Sequence, residues 1–187
     1  MDNVNKTLYI PLFGKAYVSE KGILLKDPKA EEIWAAEGVP LKGKSKSKWL
    51  AYYMGMRSIL FDRWTQEQLQ ECPRTVILHL GCGMDSRCIR VDAGENLWYD
   101  VDFPEVMEAR KRYFAQSETY RMIFCDIRED GWWKEIPSGA AAVIVMEGIS
   151  MYLQPSELKM LLKGLKDHFG EVRILMDCYT PFGARAS

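Results

Sequence analysis

The residues with the clearest chemical meaning are Gly81, Gly83 and Asp102. An apolar run containing one histidine, Val76-Ile77-Leu78-His79-Leu80, leads into Gly81-Cys82-Gly83, and an acidic segment, Tyr99-Asp100-Val101-Asp102, follows about one βαβ unit later. A buried strand ending in a Gly-x-Gly turn lets the backbone approach a ligand where a side chain would collide. A carboxylate at the end of the next strand accepts hydrogen bonds from ribose hydroxyls. Asp100 and Asp102 share one strand face, so periodicity leaves both open for that role. The sixth position of the turn is Ser86 rather than the third glycine of a dinucleotide fingerprint, and no Gly-Lys-Ser/Thr step is present. A ligand with ribose but no pyrophosphate fits this pattern, and S-adenosylmethionine is the common one.

The elements that must position these residues alternate. Apolar strands are predicted over residues 75–80, 97–101, 121–125, 140–146 and 173–178, with helices over 104–115 and 155–169. Continuous apolar strands alternating with helices imply an α/β fold with a mostly parallel sheet covered on both faces. In such sheets ligands bind beyond the carboxyl ends of the strands. Gly81, Gly83, Asp102, Asp126 and Glu147 all fall at those ends. Upstream, Asp27-Pro28 is the first helix signal and starts a helix over 29–37, ended by Gly38 and Pro40. Residues 43–48 read as a solvated, lysine-rich linker. A longer helix covers about 47–69, with Leu50, Tyr53, Met54, Arg57, Ile59, Leu60, Phe61 and Trp64 as its apolar face. Arg57 lies on that face and therefore requires an anionic partner.

Composition narrows the function further. The 187 residues suit one domain, with 48% hydrophobic and 27% charged residues and a net charge of −1. This balance lacks the basic footprint of a nucleic-acid surface. No apolar run reaches the ~20 residues of a membrane span, and the N-terminus lacks a signal-peptide pattern, so a soluble, cytoplasmic protein is expected. The five cysteines form no Cys-x-x-Cys and are read as small buried hydrophobes. His79 reads as a satisfied core residue, and no metal site is expected. Trp132 and Trp133 are read as packing residues, and the methionines as gap fillers.

Several motifs together give a resemblance. They are Gly14-Lys15-Ala16 ahead of Asp27-Pro28, Arg57, Leu80-Gly81-Cys82-Gly83-Met84-Asp85-Ser86-Arg87, Val101-Asp102-Phe103-Pro104, Cys125-Asp126-Ile127, and Met146-Glu147-Gly148-Ile149-Ser150-Met151-Tyr152-Leu153. In this order and spacing the chain resembles the leucine carboxyl methyltransferases and their bacterial relatives of the tetracenomycin O-methyltransferase type. The resemblance implies a Rossmann-like class I methyltransferase fold and S-adenosyl-L-methionine as cofactor. Carried over by position, Lys15 and Arg57 would hold the cofactor's methionine carboxylate. Gly81, with Gly83, would pack against the cofactor and Asp102 would take the ribose. Asp126 and Ile127 would form the adenine edge and its apolar wall, and Glu147 would stand near the methionine end. Plainer roles stay open: a solvated Lys15, an Arg57–Glu147 structural pair, and Asp126 as a turn cap.

The expected organisation is an N-terminal helical cap over residues 1–72 and a cofactor-binding core over 73–187, together forming one compact unit. The family normally adds further helices and an antiparallel strand pair after the fifth strand. This chain ends at Tyr179–Ser187, so the sheet is expected to lack those C-terminal strands and to leave an edge on which a second copy can pair. The expected reaction is methyl transfer to a carboxylate or hydroxyl of a small-molecule or peptide acceptor. The alternative is a non-catalytic S-adenosylmethionine-binding module.

Overall fold

The computed structural model describes residues 8–72 and 74–178. The expectations for the N-terminal segment before Leu8 and for the Tyr179–Ser187 tail lie outside the described residues. Five strands, β1 (Thr75–Leu80), β2 (Leu97–Asp102), β3 (Tyr120–Phe124), β4 (Ala141–Met146) and β5 (Glu171–Met176), form one sheet in the order β3-β2-β1-β4-β5. Every pairing is parallel. All six residues of the central β1 are buried, as expected for a strand covered on both faces.

The helices are α1 (Tyr9–Glu20), α2 (Pro28–Glu37), α3 (Lys48–Glu71), α4 (Arg87–Arg90), α5 (Pro104–Arg110) and α6 (Pro155–His168). On one side of the sheet, Leu78, Leu80, Ile144 and Met146 pack with Trp132, Trp133, Leu161 and Leu165. Gly164 is required there, because a Cβ would stand 2.0 Å from Trp133 Cζ2. A second apolar cluster joins Leu12 and Ala16 of α1 and Ile33 of α2 to Cys82, Met84 and Met107.

α2 begins as its sequence predicts: the Asp27 carboxylate accepts from Ala30 N–H at 2.9 Å, Pro28 follows it, and Gly38 closes the helix in the left-handed region. α1 is an element that the sequence reading does not anticipate. Pro11 lies in its first turn, where no intrahelical N–H bond is lost. Gly14 sits where a Cβ would be 2.7 Å from Met54 Cβ, and a Cβ on Gly55 would be 2.9 Å from Val18 Cγ2. Both glycines let α1 and α3 approach closely.

The buried face of α3 also differs from the expected one. It comprises Ala51, Met54, Gly55, Arg57, Ser58, Phe61, Thr65 and Leu69, whereas Tyr53 and Leu60 are exposed. α5 is shorter than expected and ends at Arg110. Only Cys82 is fully buried; Cys178 is exposed and the other three cysteines are intermediate. The methionines divide similarly, with Met54 and Met84 in the core and Met56 and Met151 exposed. Among the described residues no helix is long and apolar enough to cross a membrane.

Candidate functional site

Strand register places four chemically distinct positions on one level. Leu80 pairs with Val101, His79 with Val145, and Met146 with Met176. Continuing these registers, by one residue from the first and third pairs and by two from the second, Gly81, Asp102, Glu147 and Asp177 stand side by side at the carboxyl edge of the sheet. Gly81 N–H donates to Val101 carbonyl at 2.8 Å, which fixes this level. The α1–α3 layer adds Lys15 and Arg57, both buried.

Glu147 is the hub. Its Oε1 accepts from Arg57 Nε at 3.0 Å and stands 3.7 Å from Lys15 Nζ, while Oε2 accepts from Arg87 Nη2. Lys15 is paired more closely with Asp85, at 2.7 Å, so it is not a solvated lysine. Burial raises the Glu147 pKa, but Lys15, Arg87 and Arg57 outweigh it and hold the carboxyl at about 2. Arg57 also donates from Nη1 to Asp177 Oδ2 at 3.0 Å, and its Cζ stands over the Tyr53 ring, 5.7 Å from the ring centre. Its Nη2 makes no hydrogen bond among the described residues. A Cβ at residue 148 would press on Nη2 at 3.3 Å, and Gly148, at φ +73°, leaves that edge clear.

The two acids of β2 differ sharply. Asp100 is fully buried and accepts from Arg110, Tyr120 Oη (2.7 Å), Trp98 Nε1 (2.9 Å) and His79 Nδ1 (3.2 Å). Burial opposes its ionisation, yet Arg110 and His79 hold its pKa well below the usual carboxylate range. Its acceptor capacity is filled. Asp102 accepts only backbone N–H groups, from Gly83 at 2.7 Å and Phe103 at 2.8 Å. Burial raises its pKa more than these two bonds lower it.

His79 is a core residue with both nitrogens engaged. Arg87 Nη1 donates to its Nε2 at 3.0 Å, so the ring proton sits on Nδ1 and faces Asp100. Burial lowers its pKa and keeps the ring neutral. His168 contacts the Ile136 carbonyl through Nε2 at 2.8 Å. Asp126 does close a turn: Oδ1 accepts from Arg128 N–H at 3.0 Å and Nε at 2.9 Å. These bonds from Arg128 lower its pKa. Ile127 packs against the core through partial burial.

A Cβ at Gly81 would meet Ile149 Cγ2 at 2.3 Å, so its glycine has a packing reason beside any ligand. At Gly83 a Cβ would make an ordinary contact with Leu8 Cβ at 3.8 Å, so packing among the described residues does not exclude a side chain there.

Asp85, Arg87, Asp62 and Asp177 are participants to which the sequence reading assigned no role. Arg87 is wholly buried and also donates to Asp62 at 2.7 Å, while Arg90 binds Asp62, Asp27 and Asp85. The signal for Asp177 is its place at the carboxyl end of a strand, as for Asp102, the last residue of β2, and Glu147, one residue beyond β4. The predicted strand over 173–178 ran past it and hid the match.

Comparison with known proteins bears on the family and the fold. The sequence profile described as leucine carboxyl methyltransferase matches residues 9–166. The tetracenomycin polyketide synthesis O-methyltransferase TcmP of Streptomyces glaucescens is 32% identical over 130 residues, covering 69% of this chain and 48% of that protein. The S-adenosyl-L-methionine-dependent methyltransferase dpfgK of Gibberella zeae is 30% identical over 145 residues, covering 70% and 49%. The chain therefore spans about half the length of the curated relatives it matches. Among solved structures, magnesium protoporphyrin IX methyltransferase of Synechocystis PCC 6803, with bound SAM, shares the fold. Its TM-score is 0.52 at 13% identity, over 100% of this chain and 84% of that one. The Rossmann-like sheet, the motif order and the profile match converge: this chain belongs to the leucine carboxyl methyltransferase family.

Proposed function

We propose that the chain is an S-adenosylmethionine-dependent O-methyltransferase that methylates a carboxylate or hydroxyl of a small-molecule or peptide acceptor. The observation that carries this is the single level of Gly81, Asp102 and Glu147 at the sheet's carboxyl edge, with Lys15 and Arg57 above it. The residues fit the cofactor: among the described residues Arg57 Nη2 makes no hydrogen bond, a Cβ at Gly83 meets only an ordinary contact, and Asp102 retains acceptor capacity.

Residues 1–72 act in this reading as a cap that brings Lys15 and Arg57 to the core of 73–187. Arg57 binds the methionine carboxylate through its planar fork, and Lys15 adds positive charge. Asp102 takes the ribose hydroxyls; Asp100, saturated by four donors, has no capacity for them. Gly81 and Gly83 allow close backbone approach. Asp126 and Ile127 border the adenine, with Arg128 sharing the Asp126 carboxylate. Glu147 keeps the three cations in place.

S-adenosylmethionine, when bound, supplies a sulfonium-activated methyl group for in-line displacement. The protein's task is orientation, which can lower a barrier by roughly 7–11 kcal/mol. A carboxylate acceptor is ionised at neutral pH and becomes an ester with no proton to remove, whereas a phenol benefits from a base. The chain's two histidines are both engaged elsewhere, His79 with Asp100 and Arg87 and His168 with a backbone carbonyl. This favours the carboxylate acceptor. The test is methyl release from labelled product at alkaline pH: a methyl ester is expected to hydrolyse, and a base-stable product would exclude a carboxylate. Cofactor affinity without transfer to any acceptor would favour the binding-module reading instead.

A further inference from the structure

Two faces of α3 carry apolar side chains, and the fold buries one of them. Ala51, Met54, Phe61 and Leu69 belong to the buried face, whereas Trp49, Tyr53, Met56 and Leu60 are 70%, 45%, 48% and 62% exposed. Their spacings are four, three and four residues. That is the a/d repeat of a coiled-coil seam, a narrower stripe than the one by which a helix packs on a core. At 1.5 Å per residue the row runs about 16 Å along the helix. Apolar residues scattered singly on a surface are ordinary, but four aligned in one seam form a patch.

The two ends of the row carry opposite charge. Lys42, Lys44, Lys46 and Lys48 lead into the helix and are exposed. Beyond Leu60 the same line continues through Arg63 to Glu67 and Glu71, also exposed. A row that is basic, then apolar, then acidic is complementary to itself when inverted. An antiparallel copy, related by a two-fold axis level with Met54 and Gly55, sets Trp49 against Leu60 of the second copy and Tyr53 against Met56 of the second copy. Each contact is made twice, as in any isologous interface. The same inversion lays the acidic end of each helix along the lysine segment of the other. An anionic lipid surface would suit the lysines and Trp49 but would repel Glu67 and Glu71, so an inverted copy matches the whole row and a membrane matches half of it.

We propose that the outer face of α3 is a self-recognition surface, on which two copies of this chain pair antiparallel through Trp49, Tyr53, Met56 and Leu60, with Lys–Glu contacts at both ends. This face is separate from the open edge at β5, where the sheet ends. A single helix pair is a small interface of the transient kind, so self-association is expected at roughly 10 µM.

The test is sedimentation velocity of the purified chain from about 1 to about 200 µM, the range over which such an interface titrates. A monomer–dimer equilibrium is expected, stopping at the dimer because an isologous contact closes on itself. Leu60→Glu sets a carboxylate against Trp49 of the second copy and should weaken the dimer at least ~10-fold. Lys44→Glu with Lys46→Glu, and separately Glu67→Lys with Gln70→Lys, should each weaken it at least ~5-fold at low salt. Glu71 is left in place because it pairs with Arg173 at 2.7 Å. Mixing the two charge-reversed chains should restore the dimer, since acid then meets base at both ends. Thermal melting of each variant checks that it is folded. A wild-type chain that stays monomeric throughout overturns the proposal, whether or not it binds vesicles of anionic lipid. Growth past the dimer without limit, or a dimer that Leu60→Glu leaves intact, overturns it too. So does a failure of the two reversed chains to rescue one another, since the antiparallel register requires it.

Discussion

Replacing Glu147 by glutamine removes the one acid that touches Lys15, Arg57 and Arg87 together. The Glu147 pKa lies at about 2 in the folded chain, against 4.5 when exposed to water. At 1.36 kcal/mol per pKa unit, that difference amounts to about 3 kcal/mol of stability at neutral pH. The figure agrees with the 3–5 kcal/mol typically lost when one partner of a buried pair is removed. The sign follows from the depressed value: the contribution is complete above the unfolded pKa and is lost as pH falls towards 2. Integrated for this one carboxyl, it is still about 2 kcal/mol at pH 3.5 and about 1 kcal/mol at pH 3. Urea denaturation of wild type and Glu147→Gln at pH 7 and pH 3.5 measures the difference directly. A gap of about 3 kcal/mol narrowing to about 2 is expected. A gap that is independent of pH, or below about 1 kcal/mol at pH 7, would refute Glu147 as the ionised hub of the cluster.

Asp100→Asn and Asp102→Asn should separate the two acids that spacing alone cannot distinguish. The first should lower the melting temperature clearly, because Asp100 neutralises buried Arg110. The second trades one of the two oxygens that accept backbone N–H bonds for a donor, so it should lower melting less than the first, and it should weaken S-adenosylhomocysteine about 10-fold or more. Gly164→Ala should destabilise the fold by about 1–3 kcal/mol, since the new methyl group overlaps Trp133; a thermal melt indistinguishable from wild type would contradict that packing.

The parts of the fold that could be read from sequence were those written in local pattern. Apolar runs gave all five strands, most plainly β1 and β4, which are buried almost throughout and carry no polar alternation. Asp27-Pro28 and Gly38 gave α2, because each supplies a distinct cap function. α1 was hidden by Pro11 and Gly14, residues that usually interrupt helices. Here one sits harmlessly in the first turn and the other admits Met54.

The site divides along the same line. Gly81, Asp102 and Glu147 could be found because each follows a legible strand. That Arg57 needed an anion was also clear from its apolar neighbours. Its partners Glu147 and Asp177 lie 90 and 120 residues away, a distance over which periodicity carries no information. The same holds for Asp100. Its role as a saturated core acid depends on Arg110 and Tyr120, which only the packed sheet and α5 bring together.

Calorimetric titration of S-adenosylmethionine and S-adenosylhomocysteine into the purified chain, with Arg57→Ala and Asp102→Ala alongside, probes the cofactor site most directly. Measurable binding to the wild type, weakened at least ~10-fold by either substitution in a chain that still melts cooperatively, is the expected result. A folded wild-type chain with no affinity for either ligand, or affinity untouched by both substitutions, would contradict the assignment of the sheet's carboxyl edge as the cofactor site.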